Sequence, residues 1–266
     1  MGLVGLSQIN VELQAKCDKH TLCAFCGHQD QYINTRGKGE MRLDFLRKIV
    51  PQIPFGIVVQ FHRDGEPTAY QKLGEVLKMF RYHMTSIVTH GENLMEKADQ
   101  IINRCTSLTV SVFKGDPDAD LQFNVLKEFL SLKRKRPPMV NLKIVGESTP
   151  EMEERYGSLG IPIIRRLLHV PDGNYRYARR NPTIPEHGMC MDFLSHPSID
   201  WRGFLHVCNR LDTNDESLLG DLNTHTLDEL WNGGRRLNWL EAHKQGDRAN
   251  AAPICKTCIF YGIASG

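Results

Sequence analysis

Between residues 8 and 168 six short strand-like runs are separated by five helical runs, and that alternation restricts the fold more than any other feature of the chain. Gln8-Ile9-Asn10-Val11-Glu12-Leu13 alternates polar and apolar, as a half-buried strand does. Leu43, Leu46, Ile49, Val50 and Ile53 recur at helical spacing, and Gly56-Ile57-Val58-Val59-Gln60-Phe61 then reads as a buried strand. A helix around 70–80, a strand at 85–89, a helix at about 93–102 and a strand over 108–113 follow. In the next helix Leu121, Val125, Phe129 and Leu132 are expected to share the buried face. Residues 140–145 form a fifth strand, Thr149-Pro150-Glu151 opens a helix with Pro at its first position, and residues 161–168 supply a sixth strand. Such a series predicts an α/β fold with a parallel sheet and right-handed crossovers, a partial (β/α)6 barrel of the TIM type. Its chemistry belongs at the C-terminal ends of the strands.

After His169 the pattern breaks into Pro171-Asp172-Gly173-Asn174 and the basic stretch Arg176-Tyr177-Ala178-Arg179-Arg180. The barrel is therefore expected over 1–180, with a smaller unit over 181–266. In that unit residues 204–208 read as a strand after a turn at Asp200-Trp201-Arg202-Gly203, and Thr226-Leu227-Asp228-Glu229 opens a short capped helix. No internal repeat or low-complexity tract is present.

Eight cysteines fall into three groups: Cys17, Cys23 and Cys26 at the start, Cys105 alone, and Cys190, Cys208, Cys255 and Cys258 in the last third. No apolar run approaches the roughly 18–20 residues of a membrane span, so the reading is a cytoplasmic chain without membrane contact. In that compartment clustered cysteines are metal ligands or catalytic thiols rather than disulfides. The 33 basic and 31 acidic residues leave a net charge of +2, so no global field points to nucleic acid. Cys105, beside Ile101 and Ile102, reads as a small buried hydrophobe.

Three thiolates on one loop can hold three irons of a cubane and leave the fourth open to a small molecule. By residue type alone, a zinc site completed by His20 or His28 fits the triad as well. The spacing Cys17-x5-Cys23-x2-Cys26, with Phe25 before the last cysteine, resembles the loop of the radical S-adenosylmethionine (radical SAM) superfamily, whose usual form is C-x3-C-x-(aromatic)-C. This loop is two residues longer, within Asp18-Lys19-His20-Thr21-Leu22, and those residues are expected to bulge outward. Three later segments stand where that family expects cofactor contacts. Asp64-Gly65-Glu66-Pro67 resembles its Gly-Gly-Glu-Pro motif, which meets the cofactor's ammonium group, with Asp64 in place of the first Gly. Thr89-His90-Gly91 stands where relatives have Thr-Asn-Gly, and Ser111 where a Ser contacts ribose or carboxylate. Taken singly, Glu66 is equally a helix-start residue and Ser111 a strand Ser.

Cys190, Cys208, Cys255 and Cys258 suffice to saturate one cluster, although four thiolates suit zinc equally well by count. The succession Gly203-Phe204-Leu205-His206-Val207-Cys208, then Leu219-Gly220-Asp221-Leu222, then Leu227-Asp228-Glu229-Leu230-Trp231 resembles the twitch subdomain, the short form of the SPASM extension. Both resemblances together imply two [4Fe–4S] clusters, S-adenosyl-L-methionine as cofactor and an external one-electron reductant of the flavodoxin or ferredoxin type. The layout is similar to short twitch-type dehydrogenases that oxidise an aminocyclitol alcohol.

Such enzymes cleave the cofactor reductively to a 5'-deoxyadenosyl radical that abstracts a hydrogen atom from substrate. The outcome expected is dehydrogenation of an alcohol or amine carbon; the competing outcome is a redox-neutral rearrangement, or modification of a larger substrate such as a peptide or a modified nucleobase in DNA. An iron–sulfur scaffold without cofactor chemistry would keep the thiols but not the segments around Glu66 and Ser111. Lys133-Arg134-Lys135-Arg136, Arg165-Arg166, Arg176 with Arg179-Arg180, and Arg235-Arg236 with Trp239 are either a phosphate-binding patch or solvated clusters.

Overall fold

The structure is a computed structural model that describes residues 3, 5–21, 23, 37–166, 189–210, 212, 214–256 and 258. One sheet of nine strands organises it, in the order β6-β5-β4-β3-β2-β1-β7-β8-β9. β1 (Gln8–Val11), β2 (Val58–Phe61), β3 (Met84–Thr89), β4 (Ser107–Phe113), β5 (Met139–Val145) and β6 (Ile163–Arg166) are parallel neighbours in sequence order, as the six β/α units require. Between them lie α1 (Leu43–Ile49), α2 (Leu73–Met79), α3 (Ala98–Ile101), α4 (Ala119–Lys133) and α5 (Pro150–Gly157).

Alternation along the strands separates two surfaces. Val59, Phe61, Leu108, Val110, Val112, Leu142 and Ile144 point outward and are buried against helix residues such as Leu46, Leu73, Val76, Leu126 and Phe129. Phe61 and Phe80 meet edge to face with centroids 5.4 Å apart, a contact worth about 0.5–1.5 kcal/mol beyond its burial. The inward surface is polar. Gln8 Nε2 donates to Asn10 Oδ1 at 2.8 Å and to Gln60 Oε1 at 3.1 Å, and Asn10 Nδ2 donates to the His62 carbonyl at 3.2 Å. A lumen lined this way accepts a polar ligand without leaving strand side chains unpaired.

Two helices differ from the expectation. α3 is confined to Ala98–Ile101, with turns over 92–97. The buried face of α4 is Gln122, Leu126, Phe129 and Lys133, while Leu121 and Leu132 are exposed. The face is turned by one residue because Gln122 is recruited at one end, donating to the His90 and Ser111 carbonyls, and Lys133 at the other, donating to the Arg134 and Arg136 carbonyls. Thr149 caps α5, with Pro150 at its first position.

The C-terminal hairpin is an extension of the barrel sheet. β7 (Ser198–Ile199), too short to show in the sequence pattern, pairs parallel with β1 in the register Asn10↔Ser198. β8 (Phe204–His206) and β9 (Leu218–Asp221) then continue it antiparallel. Around the hairpin lie α6 (Met191–Ser195), α7 (Leu227–Trp231) and α8 (Gly234–Lys244). Thr226 and Glu229 form a reciprocal capping box on α7. Two of the arginines in the basic clusters have defined surroundings. Arg236 is buried, its guanidinium 3.5 Å from the Trp231 ring centroid and hydrogen-bonded to the Trp231 and Leu194 carbonyls, and Arg166 lies on the lumen side of β6. Arg176, Arg179 and Arg180 lie outside the described residues. No helix among the described residues is long and apolar enough to cross a membrane.

Candidate active site

The cysteine loop leaves β1 and returns at Glu40, and its base is closed by the Gln14↔Glu40 bridge and by Ala15 N donating to the Gly39 carbonyl at 2.9 Å. Cys17 and Cys23 are half-buried on it; Phe25 and Cys26 lie outside the described residues. The lengthening of this loop does not simply bulge outward. His20 and Thr21 are exposed, but the Lys19 side chain turns inward, 1% exposed, to meet Glu92 at 2.8 Å, Asp118 at 2.9 Å and Asp116 at 3.0 Å. Burial alone lowers an ammonium pKa; here the three carboxylates reverse that and hold Lys19 charged.

The Asp64-Gly65-Glu66-Pro67 turn docks against that base. Glu66 N donates to the Lys16 carbonyl at 2.8 Å, and Gln14 Nε2 donates to the Glu66 carbonyl at 2.6 Å. A Cβ on Gly65 would stand 1.9 Å from the Gln14 carbonyl oxygen, so only glycine permits this approach. Glu66 is buried, not a surface helix-start residue: Oε1 accepts from Thr68 N and Oγ1, and Oε2 accepts from His90 N at 2.9 Å. Pro67 begins the short 3-10 turn that this carboxylate caps. Thr89 Oγ1 lies 3.3 Å from Thr68 Oγ1, and His90 Nε2 lies 3.2 Å from Asp18 Oδ1, next to Cys17. Burial disfavours the His90 imidazolium, but Glu66, Asp18 and Glu92 outweigh it and raise its pKa.

Ser111 enters from β4. Its carbonyl and that of His90 share the Gln122 side-chain amide, whose oxygen accepts from Tyr156 Oη at 2.8 Å. Cys17, Cys23, Asp64, Gly65, Glu66, Pro67, Thr89, His90 and Ser111 therefore converge on the C-terminal mouth of the barrel. Sequence reasoning missed Lys19, Asp116, Asp118 and Gln122. The signal for the aspartates was Gly115-Asp116-Pro117-Asp118 directly after a strand, where barrel sites are built.

The second thiol group lies beyond β7. Cys190 precedes α6, Cys208 follows β8, and Cys255 ends a 3-10 turn; all three are buried, and Cys258 is half-buried. They act on one another electrostatically: Cys190 on Cys208, and Cys190 and Cys258 on Cys255. Burial, then these neighbours, push the Cys255 thiol up to about 12, and burial raises Cys208 well above its ordinary value. Thiolates form in such a pocket only against bound cationic charge. Arg248 clamps the Cys255 and Cys258 carbonyls, and Arg210 N donates to Cys208 Sγ at 3.4 Å. Among the described residues no three cysteine sulfurs lie within 4.8 Å of one another, whereas zinc about 2.3 Å from each thiolate holds them roughly 3.8 Å apart. Cys105 stands apart, buried, its thiol pushed up to about 11 by burial and donating to the Ser107 carbonyl.

A further cluster, Asp200, His206 and Asp215, has cation-site spacing, but Arg202 lies between both carboxylates at 2.6 and 2.8 Å and supplies their charge.

Residues 190–259, which contain the whole tetrad, match the family model of the SPASM iron–sulfur cluster-binding domain. The chain is a partial barrel whose sheet continues into a C-terminal subdomain that matches the SPASM model. It is similar to the crystal structure of BtrN in complex with AdoMet and 2-DOIA, with a TM-score of 0.60 and 17% identity over 96% of this chain and 93% of that one. Selenomethionine BtrN in an open conformation matches with a TM-score of 0.56 and 17% identity over 96% and 92% of the two chains. No curated protein matches the sequence.

Proposed function

We propose that this chain is a radical SAM oxidoreductase that dehydrogenates an alcohol or amine carbon, with one [4Fe–4S] cluster on Cys17, Cys23 and Cys26 and a second on Cys190, Cys208, Cys255 and Cys258. The observation that carries this reading is the convergence of the Cys17–Cys23 loop, the Asp64–Pro67 turn, Thr89, His90 and Ser111 on one mouth, in a fold shared with a protein crystallised with AdoMet. A cluster with an open iron, loaded with S-adenosylmethionine, supplies a 5'-deoxyadenosyl radical able to take a hydrogen atom from an unactivated carbon.

This chain's residues do the rest. Glu66, Asp18 and Glu92, gathered around His90, would face the cofactor's ammonium and sulfonium, and Gly65 lets the turn close on the Gln14 backbone. The lumen wall would keep bulk water away from the loaded cofactor. Four protein thiolates leave the second cluster no coordination position for substrate, which favours a role as electron acceptor over substrate ligation.

Anaerobic reconstitution followed by iron analysis and incubation with S-adenosylmethionine and dithionite tests this reading. It should give about eight irons per chain and slow release of 5'-deoxyadenosine. Replacing Cys17, Cys23 and Cys26 with Ala should leave about four irons and no cleavage. Stoichiometric zinc without iron uptake would overturn it, and a product of unchanged mass would replace oxidation by rearrangement.

A further inference from the structure

The lumen mouth is electrically polarised. On the β1–β4 side Asp18, Glu66, Glu92, Asp116 and Asp118 surround Lys19 and His90, an excess of acid. On the β5–β6 side the sign reverses. Lys143 of β5 stands in register between Ser111 of β4 and Ile164 of β6, and strand alternation puts it on the lumen face opposite the buried Leu142 and Ile144. Arg166 lies close enough to oppose its charge, and the His62 imidazole feels it in turn.

Neither neighbour balances it. Burial, then Lys143, pushes His62 down to about 3, which keeps that ring neutral at physiological pH. Arg166 has Asp192 as its own acidic neighbour. Burial, reinforced by Arg166, pushes the Lys143 ammonium down to about 8. Among the described residues no carboxylate pairs with Lys143. It is nonetheless only half-buried, since the lumen reaches it. A cation so placed gains most from an anion that arrives through that opening.

We propose that the β5–β6 wall, anchored by Lys143, is a subsite for an oxyanion of the substrate, a carboxylate or a phosphate ester. The proposal rests on the functional reading above, in which the cofactor's cationic groups take the acidic side and the substrate takes the remainder of the lumen. An ammonium group, such as an aminocyclitol carries, meets like charge on this wall. Specificity here differs in sign from that of an amine-binding lumen.

Trace acetylation of the reconstituted full chain, read lysine by lysine by peptide mapping, tests it. Inorganic phosphate or malonate should slow modification of Lys143 saturably by about tenfold, the effect of raising its pKa by about one unit, and leave the exposed Lys72 and Lys127 unchanged. Calorimetric titration with phosphate should lose its saturable component in Lys143→Met and regain it in Lys143→Arg. Equal slowing at Lys72 and Lys143 would overturn the proposal, as would protection by S-adenosylmethionine alone as strong as that by phosphate, which would make Lys143 a cofactor contact. Failure of the reconstituted chain to release 5'-deoxyadenosine would sink the enzymatic reading and leave this anion measurement standing, so the two failures are distinct.

Discussion

The guanidinium of Arg63 lies 3.7 Å from the carboxylate of Asp200, and neither side chain reaches solvent. Arg63 directly precedes the Asp64–Pro67 turn, and Asp200 starts the turn into β8, so this pair joins that turn of the barrel to the C-terminal hairpin. Glu12 reinforces the junction, accepting from Asp64 N at 3.3 Å and from Trp201 N at 3.2 Å. The two partners are unequally satisfied. Asp200 accepts from Arg202, Arg202 N and Phe204 N and contacts His206, while among the described residues none hydrogen-bonds the three Arg63 guanidinium nitrogens.

That asymmetry makes a prediction about the pair. Asp200→Asn leaves Arg63 and His206 beside a neutral amide, while Arg202 keeps Asp215, and should cost about 3–5 kcal/mol in urea unfolding. Arg63→Met removes a charge that makes no hydrogen bond and leaves Asp200 its other partners; it should cost less than about 1.5 kcal/mol. Equal losses would mean that Arg63 carries the junction.

A second prediction concerns the lengthened cysteine loop. Lys19→Met leaves Glu92, Asp116 and Asp118 facing one another without a cation, a loss of about 3–5 kcal/mol for a buried site, concentrated on the loop that carries Cys17 and Cys23. Iron after reconstitution should fall from about eight to about four per chain, while His20→Ala, at an exposed side chain, keeps about eight. If Lys19→Met retains full iron, the loop is held by other contacts.

The barrel was legible because each strand alternates over several residues and each helix has its own apolar stripe. β7 was not: two residues carry no period, and its place beside β1 is set by pairing across nearly the whole chain. The C-terminal cysteine group was legible in the sequence, and the residues that contain it match the SPASM model. Lys19 was not, since a Lys between two cysteines reads as solvated until three acids from 92, 116 and 118 are brought to it. Lys143 was hidden for the same reason: its alternation marked a lumen position, but the charge opposite it depends on β2 and β6.

Gly65 supports a prediction that separates cofactor binding from cluster assembly. In Gly65→Ala the new methyl meets the Gln14 carbonyl, which the Gln14↔Glu40 bridge holds in place, so the Asp64–Pro67 turn must lift. Overpacking of this kind costs about 1–3 kcal/mol and displaces Glu66 from His90 N. Iron content should match that of the unaltered chain, whereas S-adenosylmethionine binding by equilibrium dialysis should weaken at least about tenfold, or about 1.4 kcal/mol. Parallel loss of iron and binding would assign the turn to the cysteine loop instead.

Acid stability should report the polar network under the hairpin. Burial pushes the Asp212 carboxyl up, but His206, the Ser217 hydroxyl and the backbone N–H groups of Ser217 and Glu216 outweigh it and hold the pKa below its ordinary value. Asp200 is held low in the same way by His206, Arg63 and Arg202 against its burial. A carboxyl whose folded pKa is depressed stabilises the fold above its unfolded value near 3.9, and that stability is lost as pH falls through the folded value. The urea midpoint should therefore be insensitive to these groups from pH 8 to about 5 and fall progressively below about 4. Asp212→Asn should lower stability at pH 7 by about 1–3 kcal/mol, because one amide nitrogen replaces an acceptor shared by Ser217 and His206. Its acid limb should then be flatter, and the two curves should converge below about pH 3. A variant curve that runs parallel to the unaltered chain down to pH 2 would show that Asp212 is already protonated, or unpaired, in the fold.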